Sequence, residues 1–271
     1  MKITFLLTRR VPDVPSPILL RVAERLRAAG HQVTGWIPED RLLRADVVVP
    51  EADLYILKSH TEHALSYAAA LHDTGAPLLN SYPACLIAQD KVTAARRMRQ
   101  HGIPTPETWL VTNPQDAAEL LAEGPLIIKP HRGHRGAGVR LVHRAEELQQ
   151  LGTSPAPAEP LIAQRHVPGP GEDLKVYVAG ENVWSVRKPF DEESFARPGV
   201  SVPLPEGVYE IAQRTRRAFG LELFGIDIIE SEDGPFVVDV NYFPGYKGCP
   251  APEQGITEVI LNQLATLAVH H

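Results

Sequence analysis

Two stretches near the C-terminus each place an aspartate among residues that belong in a core. They are Phe224-Gly-Ile-Asp-Ile-Ile229 and Phe236-Val-Val-Asp-Val-Asn241, joined through Glu232-Asp-Gly234. Apolar runs around an Asp-Gly turn predict a β-hairpin. Side chains two apart on a strand share a face, so Asp239 and Asn241 should project together while Val238 and Val240 point to the core. Asp227 sits on the preceding strand. Neighbouring carboxylates in apolar surroundings resist joint ionisation unless a cation offsets them. Three oxygen donors, two of them carboxylates, suit Mg²⁺, which completes its shell with substrate phosphates and water. Acids on a solvated strand face are the competing explanation of the same residues.

A second segment is Leu126-Ile-Ile-Lys-Pro-His-Arg-Gly-His-Arg-Gly-Ala-Gly-Val139, an apolar strand ending in Lys129, then a glycine loop and another strand. Glycines let backbone N–H groups approach an anion, and a lysine at the strand end adds a point charge, so the segment suits a polyphosphate. It is not a P-loop, because no Gly-Lys-Ser/Thr follows and the loop leads into a strand. A hairpin with a basic tip is the plainer alternative. The chain has only seven lysines among its 27 basic residues: Lys2, Lys58, Lys91, Lys129, Lys175, Lys188 and Lys247. Lysines that persist against an arginine-rich background mark places where a compact ammonium is needed. Asp173-Leu-Lys-Val-Tyr-Val178 and Ser185-Val-Arg-Lys188 read as two strands carrying basic residues. Aimed inward, Lys175 and Arg187 would grip a phosphoryl group in transit.

Around these segments the chain of 271 residues reads as lobes. Residues 1–83 alternate strands (Ile3–Leu7, Val47–Val49, Leu54–Leu57, Pro77–Leu79) with helices (Ile18–Ala29, His63–His72), which predicts a parallel α/β sheet. Residues 84–103 hold a helix, Lys91–His101, capped by Asp90 and stopped at Gly102. Residues 104–167 read as a small α+β lobe, with strands at Thr108–Val111, Leu126–Lys129, Val139–Val142 and Leu161–Ala163 and helices at Gln115–Ala122 and Ala145–Leu151. Residues 168–271 carry the strands Leu174–Val178, Val183–Arg187, Leu223–Glu230 and Phe236–Val240, with helices Gly207–Phe219 and Thr257–Val269. The glycine loop and the aperiodic stretch Pro189–Pro205 are expected to act as lids.

Composition excludes several classes. With 44% hydrophobic and 22% charged residues the chain is an ordinary water-soluble protein. A net charge of −6 argues against a nucleic-acid binder. No apolar run is long enough to span a bilayer, and Ile3–Leu7 is too short for a secretory signal, so a cytoplasmic location without membrane contact is expected. Two cysteines, Cys85 and Cys249, cannot build a disulfide framework or a four-thiolate zinc site.

In their order, these parts resemble the ATP-grasp superfamily, whose lobes close on Mg-ATP. The likeness covers nearly the whole chain. Its most specific stretch is Leu221–Gly248, which looks like the inositol polyphosphate kinases of the trisphosphate 5/6-kinase type. The resemblance implies that Lys91, Lys129 and the loop His131–Gly138, including Gly133 and Gly136, meet the ATP phosphates. It further implies that Gln164 to Val167 meet the adenine and that Asp227, Asp239 and Asn241 hold Mg²⁺. Lys175 and Arg187 then meet nucleotide or substrate phosphates, and Lys58, His134, Gly245 and Lys247 line the acceptor pocket. Two departures stand out: the loop His131–Gly138 is richer in arginine than the kinase pattern, and Arg165 occupies the hinge where related ligases often carry an acid.

The expected activity is transfer of the ATP γ-phosphoryl group to an anionic small molecule resembling an inositol phosphate. The alternative is a carboxylate–amine ligase working through an acyl phosphate, as in ribosomal-protein glutamate ligases and glutathione synthetases. Both reactions begin with the same transfer. Ligases of the superfamily usually have Glu-Xaa-Asn in the metal strand and an arginine where Lys175 stands, whereas this chain reads as the kinases do. A phosphorylated acceptor also needs basic surroundings, which Arg9, Arg10, Lys58, His134, Arg187, Lys188 and Lys247 could supply. A non-catalytic binding module is the least favoured class, because no metal or phosphate ligand is missing.

Overall fold

The computed structural model describes residues 1–10, 14–133, 138–151, 160–189 and 198–269. The first sheet is parallel, in the order β2-β1-β3-β4, from β1 (Lys2–Leu6), β2 (Gln32–Trp36), β3 (Leu54–Leu57) and β4 (Leu78–Leu79). β3 is buried along its whole length, as expected of a strand covered on both faces. Helices α1 (Pro17–Ala28) and α2 (Glu62–Asp73) lie between these strands, and Thr61 caps α2 by accepting the Ala64 N–H at 3.1 Å. The expected strand Val47–Val49 does not form. Val47 and Val49 are 51% and 71% exposed, and β2, which the sequence reading passed over, holds the sheet edge.

Helices α3 (Tyr82–Gln89) and α4 (Lys91–Gln100) follow, where only the second was expected. Asp90 ends one and caps the other, accepting the N–H groups of Val92 and Thr93 at 3.0 Å each. Next comes an antiparallel sheet ordered β5-β8-β6-β7, from β5 (Thr108–Val111), β6 (Leu126–Pro130), β7 (Arg140–Val142) and β8 (Leu161–Arg165). The helix expected at Gln115–Ala122 is a 3₁₀ segment, Pro114–Glu123, and α5 spans Ala145–Gln150.

The last sheet is antiparallel, ordered β11-β10-β9-β12-β13, from β9 (Glu172–Ala179), β10 (Asn182–Pro189), β11 (Val200–Val202), β12 (Leu223–Ser231) and β13 (Gly234–Tyr242). Helix α6 spans Val208–Phe219, and α7 spans Pro252–Val269, beginning five residues earlier than expected and packing on α1. One face of this sheet is apolar: Leu174, Val176, Val178, Ile226, Ile228, Val237 and Val240 are at most 2% exposed.

The first sheet, α3, α4 and the last sheet share one hydrophobic core, whereas the middle sheet has its own, from Val111, Ala117, Leu126, Ile128, Val142, Leu148 and Ala163. Asn80, buried just beyond β4, joins the first sheet to the last. Its amide donates to the Leu223 carbonyl at 2.7 Å, and its oxygen accepts the N–H groups of Glu222 and Leu223 at 2.8 and 3.1 Å. Among the described residues no helix is long and apolar enough to cross a membrane.

Candidate active site

The register of the last sheet decides which side chains meet. Lys175 faces Asp227, Asp227 faces Asp239, and Gly225 faces Asn241, so Lys175 and the three expected oxygen donors share the face opposite the apolar one. A β-bulge interrupts this ladder. Asp227 pairs with Asp239 but Ile228 pairs with Val237, leaving Val238 without a partner. This corrects the expected alternation: Val237 and Val240 fill the core, while Val238 is only half-buried and turns its carbonyl toward the middle sheet.

That carbonyl accepts Lys129 Nζ at 3.1 Å, and Lys129 also donates to Gln164 Oε1 at 3.0 Å. Gln164 in turn donates to Thr108 Oγ1 at 3.1 Å. A buried ammonium thus ties the middle sheet to β13. Burial pushes its pKa down, and the charge of Asp239 works against that shift. Lys91, at the start of α4, donates through Nζ to the Gly133 carbonyl at 2.9 Å, and its N–H meets the His131 carbonyl at 2.9 Å. Both lysines therefore border the stretch that begins the glycine loop. Gly138 has a φ of 74°, and a Cβ there would press on the Pro130 ring at 3.2 Å, so the chain re-enters β7 through a position suited to glycine. His134 and Gly136 lie outside the described residues, as does 190–197 of the second expected lid. Val167 follows β8, half-buried.

Arg165 does not face this site. It hydrogen-bonds the carbonyls of Leu120 and Gly124 at 2.9 and 3.0 Å and pairs with Glu123, holding the 3₁₀ segment of its own lobe.

Lys175 Nζ lies 2.7 Å from Asp227 Oδ2 and 3.2 Å from Asp173 Oδ2. Burial depresses the Lys175 pKa, but the two carboxylates outweigh it and the ammonium stays charged. Arg187 is a correction. It pairs with Leu174 in the register and so lies on the other face, held by Glu172 at 2.8 Å and Glu230 at 2.6 Å. Its neighbour Lys188 faces Asp173, on the Lys175 face, and is buried. Burial, then the charges of Lys175 and Lys247, lower its pKa.

Asp227, Asp239 and the Asn241 carbonyl form a hard oxygen set that fits Mg²⁺. Among the described residues no three His, Cys, Asp or Glu side chains converge to hold a metal. An ion here would therefore draw part of its shell from substrate oxygens.

Toward the first sheet, Lys58 follows β3 with its ammonium 5.3 Å from the Phe243 ring centre. His60 stacks on Tyr242 at 4.0 Å, and the Tyr242 hydroxyl donates to the Ser59 carbonyl at 2.8 Å. Gly245 and Lys247 lie exposed in the following loop. That loop is strained: Phe243, Tyr246 and Ala251 have φ of 34°, 50° and 44°. Arg9 is engaged by Asp40, and Arg10 donates to the Val14 carbonyl at 2.6 Å. Three cations expected to make the cleft basic, Arg9, Arg10 and Arg187, are thus occupied within the chain. Asp173, His60 and Tyr242 join the site although no role there was expected of them, and Lys188, expected only among the basic surroundings of an acceptor, lies on the Lys175 face. The spacing of Asp173 and Lys175 on one strand was the available signal.

A three-sheet frame with a lysine from the middle sheet reaching the carboxylate strand of the last defines an ATP-grasp enzyme. Residues 88–257 match the RimK-like ATP-grasp domain, and the chain belongs to that family. A relative named probable alpha-L-glutamate ligase, from Xanthomonas euvesicatoria pv. vesicatoria (strain 85-10), is 30% identical over 89% of this chain and 82% of its own length. Among solved structures, a RimK domain ATP-grasp protein from Sphaerobacter thermophilus DSM 20745 aligns with a TM-score of 0.76 at 18% identity, covering 96% of this chain and all of that one. D-alanine–D-alanine ligase from Bacillus anthracis aligns at 0.72 and 18% identity, over all of both chains.

These relatives overturn the expectation of an inositol-phosphate kinase. Two of the features that suggested it, Asp239 in place of glutamate and Lys175 in place of arginine, lie on the face where metal and phosphates are expected, and a third, the basic cleft, loses Arg9, Arg10 and Arg187 to partners within the chain. One methylene in a carboxylate, or one cation for another, leaves the acceptor unspecified.

Proposed function

We propose that the chain is an ATP-dependent carboxylate–amine ligase of the glutamate-ligase kind. The observation that carries this reading is the 30% identity to a probable alpha-L-glutamate ligase across most of both chains. In this reading Lys91, Lys129 and the loop 131–138 hold the ATP phosphates, and Gln164 to Val167 border the adenine. Asp227, Asp239 and Asn241 hold Mg²⁺, which when bound offsets the charge of the phosphates. Lys175 stabilises the phosphoryl group as it moves to a substrate carboxylate. An amine then attacks the acyl phosphate, the carbonyl–nitrogen bond forms, and inorganic phosphate leaves. The middle lobe covers the site and keeps water from the acyl phosphate. The acceptor, an amino acid or peptide carboxylate, lies between Lys58 and the strained loop with Gly245 and Lys247.

Phosphorus NMR of reactions with ATP, Mg²⁺, L-glutamate and a panel of amino acids and peptides tests this. Inorganic phosphate and a new amide are expected only when carboxylate and amine are both present. A phosphate ester, or phosphate release indifferent to the amine, would sink the reading.

A further inference from the structure

The metal-facing side of the last sheet carries three carboxylates, and the proposed Mg²⁺ site uses two. Asp173 is the third. It stands two residues before Lys175 on β9, so both side chains leave the strand on one face. Lys175 Nζ sits between Asp227, at 2.7 Å, and Asp173, at 3.2 Å, and the three side chains are 13%, 24% and 18% exposed. In the ladder Asp173 faces Lys188.

As a purely structural partner Asp173 is poorly placed. Lys175 already has a shorter contact to Asp227, and Asp173 adds a second, partly buried negative charge beside it. Its use emerges when Asp227 is committed elsewhere. A divalent cation on Asp227 engages the carboxylate on which Lys175 rests and repels the ammonium. Without a second anchor Lys175 would swing away from the phosphoryl path.

We propose that Asp173 is a positioning residue that keeps the Lys175 ammonium in the site once Asp227 binds the metal. The proposal rests on the ligase reading only for the chemistry that follows. The hand-over of Lys175 from two carboxylates to one needs metal and nucleotide alone.

The test uses the full chain labelled with ¹⁵N-lysine, with the Lys175 ammonium resonance assigned by its loss in Lys175→Arg. In the wild type the resonance is expected to persist both in EDTA and in Mg·ADP. In Asp173→Asn it should persist in EDTA, held by Asp227, and disappear through fast proton exchange in Mg·ADP. Asp173→Glu should restore it. In turnover Asp173→Asn should lower kcat by roughly 10- to 100-fold with the ATP KM within about threefold, and Asp173→Glu should recover part of the loss. An Asp173→Asn resonance that survives Mg·ADP overturns the proposal. So does a Mg²⁺ half-saturation raised about tenfold, which would make Asp173 a ligand. Absence of amide product in the wild type would instead fail the ligase reading and leave the NMR comparison standing.

Discussion

Burial, and then the charge of Asp227, raise the Asp173 carboxyl to about 6 from the ordinary 3.8, in spite of Lys175 beside it. Between those values the folded chain holds a proton that the unfolded chain has lost. The group's contribution to stability therefore falls as pH rises through that window and stays unfavourable above it. Asp173→Asn removes the effect. Without metal or nucleotide the variant should melt above the wild type near about pH 7.5, and the two curves should converge near about pH 4. Thermal unfolding followed by circular dichroism in EDTA measures this, and a variant melting lower at the higher pH would show the carboxylate to be a net support. Charged residues embedded in apolar strands, Lys129, Asp227 and Asp239, were legible in the sequence because such placement is costly without a partner. The choice between Arg187 and Lys188 was not. Adjacent strand residues face opposite ways, and only the pairing with β9 decides which one looks into the site.

At the scale of elements, the bulge in β13 makes the sharpest distinction. Val237→Ala and Val240→Ala each remove buried methyls and should cost about 1–3 kcal/mol, whereas Val238→Ala should cost less than about 1 kcal/mol. Urea unfolding of the three variants checks the order, and equal losses at Val238 and Val240 would restore the regular alternation. Strands with dense β-branched runs, such as β5 and β12, were readable from pattern alone. Several short elements escaped, among them β11, three residues inside the stretch read as aperiodic. β2 carries a glycine and little apolar density, and α3 is eight residues squeezed between Ser81 and an aspartate that also begins the next helix. The run Val47–Val49 misled because β propensity reports fit to a pleated surface, and this sheet offers it no neighbour.

For the whole molecule, the division into two cores sets how it opens. The middle lobe's core is the smaller, and Trp109 packs against it, while Trp36 and Trp184 pack on the shared core. In single-tryptophan variants Trp109 should report a transition at lower urea than Trp184. Mg·ATP, which in the proposed function touches both bodies, should draw the two midpoints together. Coincident transitions without nucleotide would mean that the lobes unfold as one.

Asn80 acts as a rivet between the first sheet and the start of β12. A hinge with one leaf riveted has a single moving part. Lys58 and the Phe243 ring it lies against both belong to the riveted leaf, so in the proposed function the acceptor's surroundings keep their spacing whatever the middle lobe does. Under that function the acceptor would be gauged as by a ruler, and the nucleotide, held between the two leaves, would be taken as by a closing hand.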